Sequence, residues 1–258
     1  MNKQIISIVA VVLVVLAAVG GFIFFKSKNK TGAASPTPTP VPQIINVPIE
    51  ERPFITLTPR DDGKSITMTI NRYGAAKKVE YELAYDSMGI PRGVIGDTNL
   101  SGSEFFKELL LGTCSRNVCR YDEGISKGEI TLTFREDAGV KKFVSDFNLL
   151  QSDKQLGSAD GKFTLTGKLS KTFYIVAPTV GLPGTLSGTV VEGPIGVFTT
   201  ATSVVKQGKI VFVGQSDPSM KIFSWENNNW VEKTAKVEDG NLTASVDNIG
   251  IFVLVSPQ

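Results

Sequence analysis

Histidine is absent from this chain of 258 residues, and its absence removes a large part of enzyme chemistry. Histidine is the usual general base and transition-metal ligand near neutral pH. Without it, Ser-His-Asp and Cys-His catalysis and all His-ligated zinc or haem sites are excluded. The two cysteines are too few for a four-cysteine zinc site. We therefore expect no catalytic residues, no metal and no cofactor, and we predict that the chain is not an enzyme.

The chain also lacks a large excess of positive or negative charge. The chain has 27 Lys and Arg against 25 Asp and Glu, a formal net charge of +2. Proteins that bind nucleic acid mainly through phosphate contacts need a strong positive excess. The composition therefore argues against nucleic acid as a partner.

The most prominent feature that is present is an uncharged apolar run at residues 5–25. At ~1.5 Å per residue a helix of this length spans about 30 Å, the hydrocarbon thickness of a bilayer. We expect residues 1–30 to form an N-terminal anchor whose transmembrane helix, residues 5–25, contacts membrane lipid. A cleaved signal peptide is the alternative, but the run exceeds the usual apolar region of one and no small-residue cleavage site closes it. Lysines flank the run on both sides, so charge alone does not fix the orientation.

A linker rich in proline and threonine follows at residues 31–44, where four prolines alternate with other residues. Each proline fixes φ, lacks an N–H and disfavours helix at the preceding position. The segment is expected to form an extended polyproline II spacer. Such a stalk favours a signal anchor with the bulk of the chain outside the cytoplasm, at the cell surface.

The remaining residues show the alternation of apolar and polar side chains that is typical of strands with one buried face. Turn-forming clusters of Gly, Asp, Asn and Ser separate these strands, and long amphipathic helices are missing. The predicted fold class is therefore mainly β, with two antiparallel β-sandwich domains at residues 45–182 and 183–258. One continuous domain is the alternative. Residues 103–111 carry both helix and strand signals, and their position before a cysteine hairpin favours a strand.

The two cysteines, Cys114 and Cys119, are separated by four residues. If Arg116 and Asn117 form a two-residue turn, the cysteines become a cross-strand pair close enough for a disulfide. Free thiols and a redox switch are the alternatives, although a redox pair normally has C-x-x-C spacing. We predict a structural disulfide.

Residues 97–108 approach the spacing of oxygen ligands in an EF-hand calcium loop. The pattern departs from the motif at Glu104 and Phe105, and the preceding Gly- and Pro-containing segment is unsuited to an entering helix. We interpret the segment as a polar loop between strands, without a metal.

Trp225 and Trp230 flank a run of asparagines that tolerates positive φ. A hairpin turn at Asn227 and Asn228 would place the two rings opposite each other across the strands. Such pairs usually stabilise a sheet, whereas an exposed pair stacks on sugar rings. Packing is the preferred interpretation, and a ligand platform is the alternative.

Several segments of the second half resemble, in order, bacterial extracellular ZU5-like β-sandwich modules. They are residues 193–196, 209–212, 222–230, 241–247 and 250–255. Some relatives of that sandwich cleave themselves beside a His-Phe-Ser triplet, but Asn248, Ile249 and Gly250 stand there, so cleavage is not expected. In the first half, residues 79–85, 114–121 and 128–134 are similar to fibronectin-III or immunoglobulin-like modules of bacterial surface proteins.

Together these features predict a single-pass, membrane-anchored extracytoplasmic protein that acts as a non-catalytic adhesion, scaffold or protein-interaction module. Its expected partner is a protein or glycan at the cell surface. A carbohydrate-binding module that uses Trp225 and Trp230 is the first alternative. A surface or secreted hydrolase that uses carboxylates is the second. An unpaired edge strand would support the leading hypothesis.

Overall fold

The computed structural model describes residues 47–116 and 118–257. The predicted membrane helix at residues 5–25 and the linker at residues 31–44 lie outside these ranges. Within them, no helix has the length and apolar character needed to cross a membrane. The helical structure that these ranges contain is one turn of 3-10 helix, Ile49–Glu51.

The described residues form strands along almost their whole length, separated by short turns. In chain order the strands are β1 (Phe54–Pro59), β2 (Ser65–Asn71), β3 (Lys78–Ser87), β4 (Ile90–Asn99), β5 (Glu104–Leu110), β6 (Gly112–Ser115), β7 (Val118–Tyr121), β8 (Lys127–Glu136), β9 (Gly139–Ser152), β10 (Gln155–Gly157), β11 (Phe163–Lys168), β12 (Thr172–Pro178), β13 (Thr189–Phe198), β14 (Val204–Phe212), β15 (Lys221–Glu226), β16 (Asn229–Lys233), β17 (Ala235–Glu238), β18 (Asn241–Asn248) and β19 (Ile251–Ser256). The prediction of a mainly β fold is confirmed, and residues 103–111, where helix and strand competed, contain β5.

Antiparallel pairing joins these strands into sheets. The largest sheet has nine strands in the order β16-β15-β19-β13-β12-β9-β8-β3-β4. A five-stranded sheet has the order β10-β11-β14-β18-β17, a three-stranded sheet the order β1-β2-β5, and β6 pairs with β7 in a separate hairpin. The nine-stranded sheet therefore forms the frame to which the other sheets are added.

Two hydrophobic cores lie on opposite faces of the nine-stranded sheet, and β12 shows this most clearly. Ile175 and Ala177 belong to the first core, which β1, β2 and β5 cover. Tyr174 and Val176 belong to the second core, which the five-stranded sheet covers. Because adjacent residues of a strand point to opposite faces, the two smaller sheets cover opposite sides of the large one.

The predicted boundary between the two domains, after residue 182, falls in the loop between β12 and β13. Strands on both sides of this loop belong to the nine-stranded sheet, and the second core includes Leu156 and Phe163 from before it. The two sandwich layers thus share one sheet. Whether residues 45–182 and 183–258 behave as separate domains stays a prediction.

Candidate functional site

The tryptophan hairpin consists of β15 and β16, joined at Asn227 and Asn228, whose φ values are 48° and 63°. Asparagine tolerates this left-handed region better than most residues, because its short polar side chain can hydrogen-bond locally. The register places Trp225 directly opposite Trp230. The ring centroids are 5.1 Å apart at an interplanar angle of 66°, an edge-to-face pair.

Both tryptophans are only partly exposed, because the loop between β12 and β13 packs against them. The indole N–H of Trp230 donates a hydrogen bond of 3.3 Å to the Gly184 carbonyl. Gly184 also lies so close to the Trp225 ring that an added Cβ would overlap it. Part of the Trp225 ring surface and the indole N–H of Trp230 are therefore not available to a sugar. The carbohydrate-binding alternative stays a prediction.

The cysteine hairpin contains the predicted disulfide between Cys114 and Cys119, with the two Cα atoms 4.0 Å apart. The two residues are register partners of β6 and β7, as the spacing predicted. Most described residues of this hairpin are exposed, so the bond stabilises a projecting hairpin rather than either core.

Several carboxylates lie on the exposed side of β8 and β9, opposite the first core, where the hydrolase alternative would need them. Glu129 and Asp146 are register partners beside a groove of about 490 Å³ that also includes Ala84. A catalytic acid needs a raised pKa. In the described residues, every carboxyl group with a clearly shifted pKa is shifted downward, as for Glu80, which accepts hydrogen bonds from Arg135 at 2.7 and 2.9 Å. The hydrolase alternative stays a prediction.

The segment with EF-hand spacing, residues 97–108, runs from the end of β4 into β5. The Asp97 carboxylate pairs with the Lys78 ammonium group at 2.8 Å, and Glu108 accepts a hydrogen bond of 2.5 Å from Ser65. These oxygens are thus used within the sheets. Among the described residues, no group of three or more acidic or cysteine side chains is placed to hold a metal.

Among the strands at residues 47–116 and 118–257, β4 forms one end of the nine-stranded sheet and pairs only with β3. The two strands meet at a two-residue turn, Met88 and Gly89, with φ values of 53° and 83°. Positive φ at both positions is typical of the tight type I′ hairpin, in which the flanking residues Ser87 and Ile90 form a hydrogen-bonded pair. Hydrogen-bonded and non-hydrogen-bonded pairs then alternate along the two strands.

The alternation leaves the main-chain groups of every second β4 residue pointing away from β3. These residues, here called the β4 edge, are Pro91, Gly93, Ile95, Asp97 and Asn99. Proline, which has no N–H, stands at one of the positions where β3 does not require one. The Ile95 side chain is 78% exposed, the largest exposed fraction among the large apolar side chains of the described residues.

Sequence reasoning did not find the β4 edge. The Met-Gly turn was a usable local signal, but the edge status of β4 depends on which strands pair elsewhere in the sheet. That information is not present in the local pattern.

No family model, curated protein or solved structure matches this chain. Nothing in these comparisons identifies fibronectin-III, immunoglobulin-like or ZU5-like modules. The resemblance to those modules is therefore a proposal about the chain's relationships.

Proposed function

We propose that this chain is a non-catalytic protein-interaction module, held outside the cytoplasm by a single membrane helix at residues 5–25, and that the β4 edge is its binding site. A partner would add an extended strand beside β4. Main-chain hydrogen bonds supply affinity in this binding mode, and alternate side chains supply specificity.

The observation that carries the proposal is the ten-residue strand β4, whose outer edge has no partner strand among the described residues and carries the exposed Ile95. Proteins usually shorten, cover or charge such edges, because free N–H and C=O groups recruit other strands. The opposite end of the same sheet shows this protection, because its edge strand β16 has only five residues. On β4, the Asp97 carboxylate is neutralised by Lys78 of the same chain, so its charge repels a strand only weakly.

Site-specific photo-crosslinking tests the binding site. A photoreactive amino acid replaces Ile95 in cells that produce the full chain, and Val144 is the matched control. Val144 is also exposed, at 52%, and lies on the same sheet face, but on the interior strand β9. We expect a covalent adduct with a polypeptide from position 95 and a much weaker one from position 144. Equal yields at the two positions, or none at position 95, would contradict the proposal.

A fusion experiment tests the anchor and its orientation. Alkaline phosphatase, which is active only outside the cytoplasm, is fused after residue 258, and a cytoplasm-only reporter is fused in parallel. We expect activity of the first reporter only, in the membrane fraction. Activity of the second reporter, or release of a trimmed soluble product, would contradict the predicted topology.

A further inference from the structure

We infer that the occupant of the β4 edge is the β4 strand of a second copy of this chain, paired antiparallel about a two-fold axis between the two Ile95 residues. This inference rests on the proposed function and names its partner. It follows from the order of residues along the edge, from the hydrogen bonds they offer, and from the requirement of symmetry.

Symmetry restricts the pairing strongly. A two-fold axis that continues one sheet into another runs perpendicular to the sheet, so residues on the same face must lie opposite each other. The β4 edge therefore pairs with the same edge of the second copy. When Ile95 lies opposite Ile95, Gly93 lies opposite Asp97 and Pro91 lies opposite Asn99.

The main-chain groups match in this register. The two Ile95 residues exchange N–H···O=C hydrogen bonds, and each Gly93 does so with Asp97 of the other copy. Asn99 donates its N–H to the Pro91 carbonyl. The donor that proline lacks is missing only at the two ends of the paired strands, where its absence disturbs no interior hydrogen bond.

The side chains select this register among the possible ones. Ile95 is the one large apolar side chain of the β4 edge. In any other two-fold register it would lie opposite Pro91, Gly93, Asp97 or Asn99. Only the Ile95-centred register places the large apolar side chain of the β4 edge against its own copy. It also places each Asp97 opposite a glycine, whereas a register centred on Asp97 would set two carboxylates against each other.

The proposed membrane anchor favours the same partner. Copies that are tethered in one membrane have a high effective concentration relative to one another, so a modest pairing affinity is sufficient for association. A second copy also presents an edge of the same length with the same free groups, which a partner of unrelated sequence would have to match.

Cysteine crosslinking of the full chain in detergent tests the inference. In a hydrogen-bonded antiparallel pair the Cα atoms are about 5.5 Å apart, within the range for a disulfide. We expect Ile95→Cys to form a covalent dimer in most of the protein under mild oxidation, with the position-95 bond identified by peptide mapping. Val144→Cys is the matched exposed control and is expected to yield at least tenfold less dimer.

A second pair of variants tests the main-chain pairing itself. Asp97→Pro removes the main-chain N–H that points away from β3, and it removes no hydrogen bond to β3. Asp97→Ala retains that N–H. In the Ile95→Cys background, Asp97→Pro is expected to lower the dimer yield at least tenfold, and Asp97→Ala to leave it within twofold. An unchanged urea unfolding midpoint, followed by tryptophan fluorescence, verifies the folded state of each variant.

The outcomes separate this inference from the proposed function. Failure of Ile95→Cys to crosslink in the folded protein, or equal crosslinking at position 144, overturns the pairing of two copies. If the photo-crosslink from position 95 then yields an adduct with a different polypeptide, the β4 edge still binds protein but its partner is not a second copy. An adduct of twice the chain mass, together with the Ile95→Cys dimer, supports both.

Discussion

Matched substitutions in the two cores test whether the shared sheet makes the described residues one cooperative unit. Phe134 of the first core is 1% exposed and Phe163 of the second core is 0% exposed. Phe134 has one aromatic neighbour, Phe143, with centroids 5.9 Å apart, and Phe163 has two, at 5.5 and 5.7 Å. Truncation of a buried phenylalanine to alanine costs about 3–5 kcal/mol. The second aromatic contact places Phe163→Ala toward the upper end of that range.

The assay follows tryptophan fluorescence during urea unfolding of the full chain in detergent. The only two tryptophans lie on the β15–β16 hairpin, so they report on the half of the sheet that is far from the first core along the strand order. Because β12 has a buried face in each core, we expect Phe134→Ala to lower the tryptophan midpoint nearly as much as Phe163→Ala does. With a urea slope of about 2–3 kcal/mol per molar, the shift is roughly 1–2.5 M.

The contrary result would be two separate unfolding transitions. If Phe134→Ala lowers a separate transition, seen by tyrosine absorbance or circular dichroism, and leaves the tryptophan midpoint unchanged, the two sandwiches unfold independently. The coupling through β12 would then be refuted, and a division into two autonomous domains would be supported.

Three further substitutions test individual contacts. Tyr85→Phe removes a 2.8 Å hydrogen bond to the Asp122 carboxylate and is expected to cost about 1.5–3 kcal/mol in thermal or urea unfolding. Gly184→Val introduces a side chain against the nearer tryptophan ring and is expected to cost about 1–3 kcal/mol and to change the near-UV dichroism of the tryptophan pair. Glu226→Gln removes a carboxylate whose pKa is lowered mainly by a hydrogen bond from Lys233. The folded state therefore favours the charged form of Glu226. At neutral pH the substitution is expected to lower the free energy of unfolding by about 0.5–1 kcal/mol, because the Glu226–Lys233 ion pair that it removes is partly exposed. That cost should disappear as the pH falls from about 4 through the lowered pKa, and a cost that persists at pH 2 would contradict the assignment.

The strands themselves were predictable because their pattern is local. Residues 78–85 alternate polar and apolar side chains, and β3 buries Val79, Tyr81, Leu83 and Tyr85 as that alternation requires. The spacing of the cysteines and the asparagine turn of the tryptophan hairpin are likewise short-range signals, and both hairpins form in the register that they indicated.

The sheet order was not predictable, because alternation assigns a face to each residue but does not identify the neighbouring strand. β2 pairs with β5 although β3 and β4 lie between them in the chain. The run from Tyr174 to Ala177 did contain a usable signal, since consecutive apolar residues are typical of a strand buried on both faces. The β4 edge could not be recognised without the sheet order, and it is the feature on which the proposed function depends.

Amide hydrogen exchange of the full chain at low and high protein concentration tests the central claim most directly. The amides of Gly93, Ile95, Asp97 and Asn99 point away from β3, whereas those of Val94 and Gly96 bond to it. At low concentration we expect slow exchange only at the second group, and at high concentration slow exchange at both. If the four outward amides exchange rapidly at every concentration, or slowly at every concentration in a monomer, the pairing of two β4 strands is contradicted.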